Sequence, residues 1–247
     1  MRIAVFGGTG RIGSQVVAML GAAGHEAVPH SRSTGADLVT GRGVADAVRG
    51  TAVVVNLTNA PSFDEASPAF FRASMDIFLA AARDADVGHA VVLSIVGADR
   101  VPGVAHYRAK VLQEDLLKAG PVPYSIVRAT QFFEFVDTVL SWTADEHTVR
   151  LPATPLQPVA AADVARAVAD VSAGAPLGGT LDVAGPEVFP LDELGRITLA
   201  ARGDERTVVT DPAAGLYAAV PGDALTAGEG ALIASTTYRD WLSGVPR

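Results

Sequence analysis

The first thirteen residues constrain the fold of this chain more than any other segment. An apolar stretch, residues 3–6, runs directly into Gly7-Gly8-Thr9-Gly10-Arg11-Ile12-Gly13, and residues 14–23 continue with the amphipathic spacing of a helix. A buried strand, a glycine-rich turn and a helix in this order are typical of a dinucleotide-binding opening. The spacing is Gly-x-x-Gly-x-x-Gly, not the more common Gly-x-Gly-x-x-Gly.

Each glycine of the turn has a predicted role. Gly7 allows the tight turn, Gly10 lets a pyrophosphate approach the backbone, and Gly13 lets the helix pack closely on the strand. Free N–H groups and the positive end of the helix dipole would meet the phosphates. The predicted cofactor contacts here are Gly7, Thr9, Gly10, Arg11, Ile12 and Gly13. The alternative is an ordinary strand-turn-helix without a ligand.

Composition excludes several classes of function. The 247 residues include 27 acidic and 19 basic side chains, a net charge of -8, so we expect no nucleic-acid or anionic-membrane partner. The absence of cysteine excludes disulfides, thiol catalysis and thiolate metal sites, and we predict no metal site. No apolar run is long enough to span a bilayer, and a first strand at Arg2 leaves no room for a cleaved signal. We therefore expect a cytoplasmic protein.

The alternation of predicted strands and helices indicates an α/β fold, a doubly wound parallel sheet. The predicted strands are residues 3–6, 27–30, 37–39, 52–57, 90–95, 124–128 and 180–183, and the predicted helices are 14–23, 44–49, 69–83, 107–118, 162–171 and 191–201. Proline and glycine become frequent beyond about residue 150. We therefore predict a dinucleotide-binding core over residues 1–150 and a small C-terminal substrate lobe over 151–247, packed together as one structural unit.

The end of the second predicted strand favours NADP(H) over NAD(H). An NAD site usually has an acidic residue there, about 20 residues after the glycines, to hold the ribose 2′-OH. This chain has Ser31-Arg32-Ser33, and an arginine between two hydroxyls can hold a 2′-phosphate instead. Arg11 could add to this positive patch, and Asp37 could bond the adenine or cap a turn. The alternative for Arg32 is a solvated loop arginine.

Two further strand ends carry polar residues at the carboxyl edge of the sheet, where ligands bind. Thr58 and Asn59 follow the fourth predicted strand, and we predict that they contact the cofactor. Ser94 lies near the end of the fifth, and a helix opens soon afterwards with His106 and Lys110. These two side chains are spaced i, i+4 and so share one helix face.

At these residues the chain resembles a known family. The segments GGTGRIG, LSIVGADR, YRAKVLQEDLL and PYSIVRATQFFEF together resemble the NmrA-like, atypical branch of the short-chain dehydrogenase/reductase superfamily, over essentially the whole length. The resemblance implies an extended Rossmann fold, NADP(H) at the glycine turn and a substrate cleft roofed by the C-terminal lobe. It also implies that Ser94 matches the family's serine and Lys110 the lysine of its Tyr-x-x-x-Lys pair, which holds the ribose.

The chain departs from this family at His106, where the family usually has the tyrosine that acts as general acid or base. A free histidine titrates near ~6.5 and could donate a proton near neutral pH, although a nearby Lys⁺ would favour its neutral form. The sequence leaves open whether His106 is a proton donor or marks an inactive site. The predicted catalytic residues are Ser94, His106 and Lys110.

The substrate is outlined only by an aromatic cluster after the sixth predicted strand. Gln131, Phe132 and Phe133 could line an apolar pocket for a flat or hydrophobic carbonyl compound, or could serve as core. We predict an NADP(H)-dependent oxidoreductase acting on a small, rather apolar carbonyl or alcohol. The protein could also form a homo-oligomer. The alternatives are a non-catalytic NADP(H)-sensing protein of NmrA type and a cofactor-retaining isomerase or epimerase.

Overall fold

Strands and helices alternate along most of the chain. The computed structural model describes residues 1–61 and 64–244. Its strands are β1 (Arg2–Phe6), β2 (Glu26–His30), β3 (Val53–Asn56), β4 (His89–Ile95), β5 (Tyr124–Ala129), β6 (Thr148–Leu151), β7 (Pro155–Leu156), β8 (Gly179–Ala184), β9 (Phe189–Pro190), β10 (Thr207–Thr210) and β11 (Leu232–Ile233). Its α-helices are α1 (Arg11–Ala22), α2 (Val44–Val48), α3 (Ser67–Asp84), α4 (Ala105–Ala119), α5 (Val136–Ser141), α6 (Ala161–Ala173), α7 (Leu191–Arg202) and α8 (Tyr238–Leu242).

The main sheet has seven strands in the order β11-β8-β5-β4-β3-β1-β2, which confirms the predicted α/β class. β1 pairs in parallel with β2 and β3, and Ile3 lies opposite Ala27 and Val53. All four residues of β3 are buried, as expected for a parallel strand covered on both faces. The chain leaves β1 towards β2 on one side and returns to β3 on the other. This change of direction is the point where open α/β sheets bind ligands.

The predicted short strand at residues 37–39 is wrong. Asp37 instead accepts a hydrogen bond from the Val39 amide at 2.9 Å, and its carbonyl accepts another from the Gly41 amide at 2.9 Å. The segment is a tight turn with Gly41 in a left-handed conformation (φ 79°). An aspartate that closes a turn with its own side chain competes with strand formation, and this preference wins over the short apolar pattern.

The chain divides into two compact units. The first comprises Met1–Ser94, Ala105–Arg128 and Val164–Leu181, and the second comprises Ile95–Val104, Ala129–Asp163 and Asp182–Arg247. The first unit has a core that includes Phe6, Met75 and Phe78, with the Phe6 and Phe78 rings edge to face at 6.0 Å. The second unit contains two small sheets, β6 with β10 and β7 with β9. The functional division at residue 150 stays a prediction.

Candidate functional site

The glycine turn after β1 is closely packed against the backbone of the first unit. Gly7 has a φ of 77°, and a Cβ there would lie 2.9 Å from the Leu57 carbonyl. A Cβ on Gly8 would lie 2.6 Å from the Val5 carbonyl oxygen, and one on Gly13 would lie 2.1 Å from the Gly7 oxygen. These three glycines are therefore required by the fold itself. Gly13 packs α1 against the turn rather than against the strand.

Gly10 is different because the protein leaves the space around it nearly free. Its backbone is extended (φ −80°, ψ 176°), and among residues 1–61 and 64–244 the only close neighbour of an added Cβ is the Gly7 oxygen at 3.2 Å. Gly10 is also the N-cap of α1, and no side chain of the described residues caps this end of the helix. The first N–H groups of an uncapped helix lack intrahelical acceptors and favour an anion. Thr9 and Arg11 flank this position and are exposed.

The segment after β2 is a rigid turn made by hydroxyl side chains. Residues 32–34 form a 3-10 helix that Ser31 and Thr34 close as a capping box, in which the Ser31 amide donates to the Thr34 hydroxyl at 2.8 Å. The Ser31 and Ser33 hydroxyls lie 2.8 Å apart. These hydrogen bonds fix the backbone from which the Arg32 side chain extends.

Arg32 and Arg11 are exposed, and in the described part of the chain neither guanidinium has an ion pair or hydrogen bond. Most other arginines, such as Arg49 with Asp46 at 2.6 Å, have a carboxylate partner. Asp37 caps its own turn, the second of the two roles that the sequence allowed. Two unpaired guanidinium groups near the ends of β1 and β2 make this part of the first unit suitable for an anion, despite the net negative charge of the chain.

The end of β3 is organised by Asn56, which is fully buried. Its Oδ1 accepts hydrogen bonds from the Thr58 amide at 3.0 Å and from the Thr58 hydroxyl at 2.6 Å. Thr58 is therefore held in a fixed position beside the glycine turn, which contacts the preceding Leu57 carbonyl. Asn59 is exposed. Both residues follow the strand that borders the change of direction in the sheet.

Lys110 lies on α4 with its ammonium group buried in the first unit. Its Nζ donates to the Leu93 carbonyl and to Gln113 Oε1, both at 2.6 Å, and lies 4.8 Å from the centre of the Phe71 ring. Burial lowers the pKa of Lys110 to about 7, although the charge of Glu114 acts in the opposite direction. Lys110 is therefore a group that changes charge near neutral pH.

His106 lies one turn before Lys110 and is also buried. Its ring is 6.2 Å from the Phe71 ring and 6.4 Å from the Tyr107 ring. Burial, and secondly the charge of Lys110, lower the pKa of His106 to about 4. The direction is the one expected from the sequence, but burial contributes more than the lysine. His106 is a neutral imidazole at physiological pH.

Ser94 faces the carboxylate of Glu114, one turn beyond Lys110. Glu114 accepts hydrogen bonds from Arg128 Nε at 2.8 Å and Nη2 at 2.7 Å, and from Lys118 at 3.2 Å. The Ser94 hydroxyl approaches the same carboxylate without the geometry of a full hydrogen bond. Although burial opposes it, these contacts together hold the pKa of Glu114 below its ordinary value. His106 and Lys110 thus lie one turn apart on α4, and Ser94, on β4, faces the Glu114 carboxylate of the same helix.

The three predicted substrate residues lie in the second unit but have different surroundings. Gln131 and Phe132 line a mainly apolar pocket together with Phe135, Val136, Val139, Leu156, Pro158, Leu191, Leu194 and Tyr217. Both polar atoms of the Gln131 amide are buried and have no hydrogen-bond partner among the described residues. Phe133 is absent from this lining, and its ring packs 5.0 Å from Tyr238 and 5.6 Å from Trp241.

Residues 1–61 and 64–244 contain no group of three or more His, Asp or Glu that could hold a metal ion. In those same residues, no helix is long and apolar enough to cross a membrane.

Comparison with known proteins identifies the fold. A scan of protein-family models and a search of curated proteins gave no match. Solved structures do match. A short-chain dehydrogenase/reductase superfamily protein from Agrobacterium tumefaciens with bound NAD is similar at 18% identity and TM-score 0.69, over 85% of each chain. The chain has the fold of this superfamily.

Two further solved structures match over almost the full length. A nucleoside-diphosphate-sugar epimerase from Staphylococcus aureus is 15% identical with a TM-score of 0.75, covering 98% of this chain and 99% of that one. An NADPH-dependent quinone oxidoreductase from Escherichia coli, complexed with NADPH, is 17% identical with a TM-score of 0.73, covering 99% of both chains. The predicted resemblance to this superfamily is confirmed.

Sequence reasoning missed the residues that surround Lys110. Gln113 and Glu114 are both fully buried on α4, at i+3 and i+4 from Lys110. The sequence contains a signal for this, because two polar residues occupy positions that share the sheet-facing side of the helix with Ala109 and Leu117. Phe71, whose ring faces both His106 and Lys110, had no comparable signal because α3 is rich in phenylalanine.

Proposed function

We propose that this protein is an NADP(H)-dependent oxidoreductase that transfers hydride to or from a small, rather apolar carbonyl or alcohol. The observation that carries the proposal is the contrast within the glycine turn. Protein atoms occupy the space beside Gly7, Gly8 and Gly13, whereas the space beside Gly10, at the N-terminus of α1, is nearly free of them. Open space beside free N–H groups is what a pyrophosphate needs.

NADP(H) is favoured over NAD(H) by charge. The Arg32 and Arg11 guanidinium groups would hold the 2′-phosphate, because a phosphate accepts charge-assisted bonds from arginine. An NAD site would have an acidic residue here to bind the ribose 2′-hydroxyl. This chain instead has Ser31 and Ser33, whose hydroxyls lie close together. The NADPH complex of the similar Escherichia coli oxidoreductase supports this proposal. When bound, the cofactor would supply or accept the hydride.

His106 would stabilise the substrate oxygen that gains charge during reduction, and Lys110 would act on the cofactor. A neutral imidazole can donate an N–H hydrogen bond to a developing oxyanion, and this is the role we propose for His106. Lys110 would bind the ribose, as the superfamily resemblance implies, and would change charge near neutral pH. Ser94 would contribute less than the resemblance implies, because its hydroxyl faces the Glu114 carboxylate.

Gln131 and Phe132 are the residues that we propose for the substrate. The unpartnered Gln131 amide is the polar group of a pocket lined mainly by aromatic and aliphatic side chains. The space inside this lining is about 10 Å³, room for no more than one water molecule, so the pocket would have to open before an apolar molecule with one hydrogen-bonding group could bind there.

The cofactor assignment predicts that the protein binds NADPH at least about tenfold more tightly than NADH. Replacing Arg32 with alanine should weaken NADPH about tenfold and leave NADH unchanged. Calorimetric titration of both cofactors measures this. Arg166→Ala is the matched control, because it removes one exposed positive charge from α6. Equal affinity of the wild type for both cofactors would refute the NADP(H) assignment, as would an Arg32→Ala variant that binds NADPH normally.

A further inference from the structure

Lys110 is held by a side chain that lies outside the superfamily's catalytic motif. The chain has only two lysines, Lys110 and Lys118, and both lie on α4. Lys118 reaches the Glu114 and Asp115 carboxylates and is 40% exposed, whereas Lys110 turns inward. Its Nζ lies 2.6 Å from Gln113 Oε1 and 2.6 Å from the Leu93 carbonyl oxygen. These two oxygens are the acceptors that the structure gives the buried amine.

The protonated form of Lys110 determines the orientation of the Gln113 amide. An ammonium group has three donors and no acceptor, so the atom that faces Lys110 must be the amide oxygen. This leaves Gln113 Nε2 buried with no hydrogen-bond partner in the described ranges. An unpaired buried amide nitrogen is costly, and an apolar side chain would avoid the cost. The hydrogen bond that Lys110 donates to the Gln113 oxygen is the interaction that can offset the cost of the unpaired nitrogen.

Few other charges surround Lys110. On its own helix, His106 is neutral and Glu114 is engaged by Arg128 from β5. On α3, the facing group is the Phe71 ring, while Arg72 and Asp76 are exposed. On β4, the facing groups are the Leu93 carbonyl and Ser94. Gln113 and Leu93 thus provide the direct hydrogen bonds to the ammonium group.

We propose that Gln113 is the positioning residue of Lys110, holding its ammonium group against the Leu93 carbonyl and keeping it protonated in a buried place. The part of this inference that concerns cofactor binding rests on the proposed function. Without Gln113, the lysine would lose its proton at lower pH. With a carboxylate in the same place, the lysine would keep its proton to higher pH.

The presence of only two lysines makes a direct test practical. Protein labelled at lysine with ¹³C and ¹⁵N gives two side-chain NMR signals, and a Lys118→Arg variant assigns them. We expect the Lys110 signal to titrate with a midpoint near the pKa of about 7. Gln113→Glu should raise this midpoint by at least about one pH unit, and Gln113→Met should lower it. Asp115→Asn is the matched control, because it changes an exposed charge of α4 that faces Lys118. It should leave the Lys110 midpoint in place.

An unchanged Lys110 midpoint in Gln113→Glu and Gln113→Met would overturn the proposal. If Gln113→Met does not fold, the isosteric Gln113→Glu variant decides alone. NADPH titrations from pH 6 to 9 on the wild type and Gln113→Glu separate this inference from the proposed function. Shifted midpoints without NADPH binding refute the function and support the positioning role. NADPH binding with unshifted midpoints does the reverse.

Discussion

Replacing Gly10 with valine is expected to weaken NADPH binding at least about 100-fold, or about 2.7 kcal/mol, while the chain remains folded. The backbone of Gly10 is extended and accepts any residue, and an added Cβ meets only the Gly7 oxygen at 3.2 Å. The side chain would instead occupy the space that a pyrophosphate needs at the start of α1. Circular dichroism and calorimetric titration with NADPH measure the two effects separately.

Two other glycines of α1 provide matched controls. Gly21 has no atom near an added Cβ, so Gly21→Val should leave both fold and NADPH affinity unchanged. Gly13 would place a Cβ 2.1 Å from the Gly7 oxygen, so Gly13→Ala should destabilise the turn itself. Normal NADPH affinity in folded Gly10→Val would show that the turn is only a structural connector.

Removing the buried amine is expected to change how stability depends on pH. Lys110 has a pKa of about 7 in the folded protein against an ordinary value of 10.5, so the unfolded chain holds up to one more proton between these values. The stability of the wild type therefore rises with pH over this range, and below pH 7 the full cost of burying the charge is present. Lys110→Met should abolish this rise, which amounts to as much as about 5 kcal/mol.

Urea unfolding at pH 6.5 and 9.5 checks this prediction. The gain in unfolding free energy of Lys110→Met over the wild type should be about 3 kcal/mol larger at pH 6.5 than at pH 9.5. Lys118→Met, which removes the partly exposed lysine of the same helix, should change stability by less than about 1 kcal/mol at either pH. A Lys110→Met gain that is the same at both pH values would show that Lys110 is not a buried, charge-changing group.

The sequence predicted the parallel sheet because its signals are local. Short apolar strands, glycine stops and helical periodicity predict β1 to β5 and α1 to α4 to within a few residues. The glycine turn at Gly7 predicts that β1 is followed directly by α1. The elements β6, β7, β9, β10, β11, α5 and α8 were missed. Each spans only two to six residues, and the strands among them gain their stability from partners distant in sequence, as Thr207 does opposite Thr148.

The candidate site was predictable where chemistry follows from residue type, and less so where it follows from burial. Arg32 and the glycine turn could be named from charge and spacing alone. The charge states of His106 and Lys110 could not, because they depend on desolvation by groups such as Phe71. Gln113 was missed because a glutamine on a helix is usually solvated. Phe133 was placed with Phe132, yet consecutive residues of a 3-10 turn face different sides.

His106 determines whether the site can act as a catalyst. If a neutral His106 stabilises the substrate oxygen, its own titration should not change the reaction rate near pH 6.5, because its pKa of about 4 lies far below this pH. Its replacement by alanine should reduce the rate about 10²–10³-fold, the usual loss when one donor to a developing oxyanion is removed. A change in NADPH affinity near pH 7 would belong to Lys110 instead.

NADPH oxidation by the wild type, His106→Ala and His106→Tyr against one panel of quinones, aldehydes and ketones tests hydride transfer most directly. The predicted result is oxidation faster than in buffer with at least one class of acceptor, and its loss in His106→Ala. Tight NADPH binding by the wild type, with oxidation no faster than in buffer across the whole panel, would contradict catalysis and indicate a protein that only binds the cofactor.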